Sequence, residues 1–148
     1  MNSPEIKNLY SEFRTASQSK ITNEQFGTLL MFYPSLLVVV SDGVVDKEEW
    51  VYIKYLAKFM SDSHKEGITD EQRAALVDNY FEDLRFLITN ISDWKEKFLT
   101  TLACYLSKHP EIKEDILETL YMFSEASEGS SEDELTTIND LKHHLGID

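Results

Sequence analysis

Carboxylates arranged around a glycine are the residues of this chain best suited to chemistry, and they gather at positions 41–50, SDGVVDKEEW. Asp42, Asp46 and Glu49 offer hard oxygen donors, which suit calcium, magnesium or manganese rather than zinc or copper. On an EF-hand loop, Asp42 takes the fifth position, Gly43 the turn glycine, Asp46 the ninth position and Glu49 the closing bidentate one. The first half does not fit, because the first and third ligand positions fall on Val38 and Val40. A hard cation needs six or more oxygens, so this is not an EF-hand.

Helix capping accounts for much of the same stretch. Gly43 suits the left-handed end of one helix. Asp46 suits the N-cap of the next, with Glu49 completing a capping box and Val45 and Trp50 a hydrophobic staple. Ser131 and Glu134 repeat the box near the C-terminus. Two features exceed capping. Asp42 lies at a helix C-terminus, where the macrodipole disfavours an anion. Glu48, and the cluster Glu125, Glu128, Glu132, Asp133 and Glu134, add more charge than caps require. A divalent ion shared by the two corners, or a basic partner, relieves both costs; solvated acid on an anionic surface is the other reading.

The elements that position these corners are helices. Apolar residues recur at helical spacing along the whole chain, and strand alternation does not occur. The pattern predicts one all-α domain of about seven helices, with a helix-corner-helix unit used twice. Ser3 and Pro4 open the first helix, which carries Ile6, Leu9, Tyr10 and Phe13. Thr22 and Gln25 box the second, apolar on almost every side from Phe26 to Val40, with Pro34 expected to kink or break it. The third runs from Asp46 to about Met60, with Trp50, Ile53, Leu56, Ala57 and Met60 inward. Thr69 and Gln72 open the fourth, with Val77, Tyr80, Phe81, Leu84 and Ile88 on its inner face. Trp94, Phe98, Leu102 and Leu106 mark the fifth. Pro110 opens the sixth, carrying Ile112, Ile116, Leu117, Leu120 and Phe123. Leu135, Ile138, Leu141 and Leu145 mark the last, closed by Gly146. At an offset of 85, Asp46, Glu49, Ile53, Leu56 and Met60 align with Ser131, Glu134, Ile138, Leu141 and Leu145.

Composition narrows the classes of function. The 148 residues suffice for one domain with a real core, and 17 aromatics exclude a wholly disordered chain. Twenty-seven acids against 14 bases give a net charge of −13, which repels phosphate backbones and anionic bilayers and favours cations and basic protein patches. Nucleic acid is therefore not expected as a partner. The longest apolar run, Leu29 to Val40, is too short to span a bilayer, so no direct membrane insertion is expected. The start MNSPEIKNLY has no signal-peptide pattern, and the single cysteine, Cys104, requires no oxidising compartment. A cytoplasmic location and a buried, inert Cys104 are the expectations. His143 and His144 adjoin, so their side chains diverge by about 100° and cannot share an ion. No nucleophile elbow, phosphate-cradling glycine loop or dinucleotide fingerprint occurs, and no acid-base pair has a recognisable spacing, so no enzyme is expected.

Three ordered features, SDGVVDKEEW, the helix VYIKYLAKFM and the later ASEGSSEDELTTINDLKHHLGI, resemble the TerB-like domain family over residues 22–147. That family is associated with tellurite resistance and related to the N-terminal region of the membrane-linked co-chaperone DjlA. The resemblance implies a helical bundle with an acidic metal site, working with Ter-type proteins in chemical-stress responses near the membrane. Asp42 and Glu49 hold the acidic positions of the first motif, and Glu128 and Glu134 those of the second. The second corner departs in two ways: Glu128 stands where Asp is usual, and one residue fewer separates Gly129 from Glu134.

Overall fold

In the computed structural model, residues 3–41, 47–64, 66–126 and 132–147 are described; at 48 and 123–126 the description is of the backbone alone. Among the described residues there are seven α-helices and no strand. They are α1 (Pro4–Ser17), α2 (Asn23–Val39), α3 (Lys47–Asp62), α4 (Asp70–Thr89), α5 (Ile91–Lys108), α6 (Lys113–Ala126) and α7 (Glu132–Leu145).

Local chemistry sets the ends of these helices. Ser3 Oγ accepts from the Ile6 N–H at 3.2 Å, with Pro4 in the first helical turn. Both threonine capping boxes form in full. The Gln25 N–H donates to Thr22 Oγ1 at 3.2 Å, and the Thr22 N–H to Gln25 Oε1 at 2.9 Å. Thr69 and Gln72 repeat the pair at 3.1 and 2.9 Å. α7 ends in a Schellman turn: Gly146 at φ 70° donates to the His143 carbonyl, and Ile147 donates to that of Lys142 at 2.8 Å. α6 is preceded by a 3-10 turn, Pro110–Ile112, so Pro110 opens that turn rather than the α-helix itself.

α2 is the central element, packed against α1, α3, α5, α6 and α7. Every residue from Tyr33 to Val40 is buried. The expected break at Pro34 does not occur; the helix runs unbroken from Asn23 to Val39 with Pro34 inside it. Proline's fixed φ is itself helical, so the loss is confined to one backbone bond and local crowding. Burial against five neighbours outweighs it. At the other end of the core, Phe13 of α1 meets Phe26, Phe86, Trp94 and Phe98 with ring centroids 5.5–5.6 Å apart, three of the four contacts edge-on. Glu5–Lys108 at 3.0 Å and Glu12–Lys97 tie α1 to α5 from outside.

Two helices keep most of the inner face that their apolar residues predict and depart from it at particular positions. In α4 the buried positions are Leu76, Tyr80, Asp83, Leu84 and Leu87, while Val77, Phe81 and Ile88 are half-buried. In α7 the buried face is Glu134, Ile138, Leu141 and Leu145, and Leu135 is 44% exposed. In both, a carboxylate occupies a place that periodicity reserves for an aliphatic side chain.

Candidate functional site

The first acidic corner follows the end of α2. Val40 donates to the Leu36 carbonyl at 3.1 Å and Ser41 to that of Val38 at 3.3 Å, and α3 begins at Lys47. Asp42 and Asp46 of this corner, and Glu128 of the second, lie outside the described residues, as do Gly43, Val45, Gly129 and Ser131. Glu49 and Glu134 are described. Glu49 is half-buried in the first turn of α3, and Glu134 is only 8% exposed in the first turn of α7. Both positions are helix N-terminal, where unsatisfied N–H groups and the macrodipole favour an anion.

The internal echo holds in three dimensions. Ile53, Leu56 and Met60 of α3 are buried, as are Ile138, Leu141 and Leu145 of α7, so each stripe is headed by its glutamate. Both helices pack on α2. Val40 and Ser41, just before the first corner, share a cavity of about 240 Å3 with Thr137 and Asp140, just beyond the second. Lys95 of α5 and His144 of α7 also line it. The end of α2 and the face of α7 beyond its first turn therefore meet at this cavity. Among the described residues, no three of His, Cys, Asp and Glu are placed to hold one metal ion.

Two further titratable groups escaped the sequence reading. Asp83 of α4 is buried and accepts from Ser19 Oγ at 2.7 Å. Burial pushes its carboxyl up from 3.8 to about 6; the Ser19 bond opposes the rise and Glu82 adds to it. Its signal in the sequence is a stripe at 76, 80, 84 and 87 in which 83 is the one charged member. His64, in the turn after α3, reaches back to α2: Nε2 lies 2.8 Å from Thr28 Oγ1 and 3.1 Å from the Tyr80 hydroxyl. Tyr80 donates its one proton to the Gln25 carbonyl at 2.9 Å, so its oxygen faces His64 as an acceptor and Nε2 carries the imidazole proton. Burial raises the Tyr80 phenol, so it stays protonated in this role. Cys104 is half-buried, not buried as expected, because α5 turns Leu99, Leu102 and Leu106 to the core and leaves position 104 at its flank. His143 and His144 are both exposed, and His109 stacks on Tyr105 at 4.4 Å.

No protein-family model, curated protein or solved structure matches the chain. No helix among the described residues is long and apolar enough to cross a membrane.

Proposed function

We propose that the chain is a non-enzymatic, acidic TerB-like module that binds a divalent cation (calcium, magnesium or manganese) at its two helix corners and serves a tellurite or chemical-stress-response assembly. One observation carries this reading. Glu134 heads the core-facing stripe of α7, 8% exposed, while its neighbour Leu135 faces solvent at 44%. A carboxylate held inward at the head of a helix, in preference to the leucine beside it, is a hard oxygen donor fixed in place, and in this reading a cation is one of its partners. The packing of both α3 and α7 on α2 supports an ion shared between Asp42, Asp46 and Glu49 on one side and Glu128 and Glu134 on the other.

Thermal melts of chelator-stripped protein against calcium, magnesium, manganese and zinc test it, using wild type, Asp42→Ala and Glu134→Gln. At a hundredfold excess over Kd, a bound ion stabilises by ~2.7 kcal/mol, a rise of several degrees in Tm. The expected result is a rise specific to one hard cation and absent in both variants. Equal rises for every divalent ion in all three proteins would mean screening of the −13 charge alone. That same charge favours a second reading, a metal-free scaffold whose acidic face docks a basic protein partner, with salt-sensitive binding and no ion preference.

A further inference from the structure

A second site lies at the α1–α2 connection, independent of the cation reading and sharing none of its residues. The connection and the second half of α4 border a cavity of about 350 Å3, within the range of roughly 300–1,000 Å3 typical of small-molecule pockets. Asp83 lines this cavity and is 4% exposed. Its Oδ2 accepts from Ser19 Oγ at 2.7 Å, and Ser19 is itself fixed by the Ile21 N–H, which donates to that hydroxyl at 3.3 Å. No other hydrogen bond among the described residues reaches the carboxyl.

Two helix C-terminal ends border the same space, α1 at Ser17 and Gln18 and α4 at Thr89 and Asn90, and no residue of α5 lines it. The last carbonyls of a helix lack intrahelical donors and carry the negative end of its dipole. Gln18 adopts φ 56°, the only non-glycine residue with positive φ among those described, and so turns the chain at the cavity's edge. The fixed cations nearby do not discharge this arrangement. Arg85 is committed to Glu82 at 3.2 Å, and Lys20 is an exposed side chain with no ion pair among the described residues. A buried carboxyl thus borders a space too large for one bare ion.

We infer that this cavity binds a small organic cation, with an ammonium or guanidinium group seated on the Asp83 carboxylate. Charge-assisted bonds from such a group add to the single hydrogen bond that the Asp83 carboxyl accepts, from Ser19. Because burial holds the Asp83 proton up to about pH 6, the site closes on acidification. The charged groups facing it are Glu82 and Arg85 from α4 and Lys20 from the connection, while α1 contributes only the uncharged Ser17 and Gln18. Lys20 is the internal competitor.

Calorimetric titration with agmatine and putrescine, against a neutral polyol and magnesium, tests the inference. At pH 7.5 wild type should bind the organic cations and neither control. Asp83→Asn keeps an acceptor for Ser19 and should lose at least tenfold in affinity, whereas Lys20→Ala should gain. At pH 5 the wild-type affinity should fall about tenfold, one unit below the carboxyl's titration. Undiminished binding by Asp83→Asn, or no binding by wild type at millimolar ligand, overturns the proposal. Should Asp83→Asn fold poorly, the wild-type 13Cγ titration of Asp83 decides: saturating agmatine must lower its midpoint, and an unmoved midpoint overturns the site.

Discussion

A carboxyl set among Tyr80, Leu84 and Leu87 gives up its proton only near pH 6, and that delay has a thermodynamic sign. The unfolded chain releases the same proton near 3.8, so between these values the native state binds more protons than the unfolded one. Stability from this group is complete below about pH 4 and is lost as pH rises through 6. Denaturant melts should therefore find Asp83→Asn more stable than wild type at pH 7, by about 3 kcal/mol, with the gap closing toward pH 4. Tyr33 presents a simpler case. Its ring is fully buried and its hydroxyl has no hydrogen-bond partner among the described residues. Tyr33→Phe removes that unsatisfied group and keeps the ring against Phe98 at 4.7 Å, so the variant should gain roughly 1 kcal/mol. A loss in the same melt would show that the hydroxyl is satisfied after all.

Helix ends were legible in the sequence because they are decided locally. Ser3, Thr22, Thr69 and Gly146 each act within three or four residues of chain, and each caps as its type and spacing predict. Gly146 makes the quantitative test. A Cβ there meets nothing nearer than Lys113 Nζ at 3.9 Å, so Gly146→Ala introduces no clash and only the cost of φ 70°. The expected loss is about 1 kcal/mol by thermal melt, against none for a glycine replaced where φ is negative. Helix faces were less legible. Periodicity assigns the inner face by counting apolar residues, and α4 and α7 each bury one acid while leaving Val77, Phe81 or Leu135 further out. Pro34 misled for a related reason: its local cost is real, and the five helices packed around α2 override it. The candidate corners were visible as composition, but their acids come from two segments about 85 residues apart. Only packing on α2 gives the helices that carry Glu49 and Glu134 a common neighbour.

For the molecule as a whole, cohesion and charge act at different depths. The aromatic hub joins four helices at Phe13, with rings from α1, α2, α4 and α5. Phe13→Ala should cost about 4 kcal/mol, a large share of the total for a domain of this size, and should lower the denaturant midpoint cooperatively. The surface carries the −13 charge, and added monovalent salt should raise stability modestly by screening it, a baseline from which any specific ion effect must be read. The two tryptophans happen to divide along the same lines. Trp94 is locked in the hub against Phe13 and Phe86, whereas Trp50 stands in the first turn of α3, against Phe81 and beside the first acidic corner. The protein therefore carries two native optical probes at two depths. With Trp94→Phe, emission from Trp50 would follow events at the corner; with Trp50→Phe, the remaining signal would follow loss of the core. Comparing the two would separate a local rearrangement from global unfolding without any label.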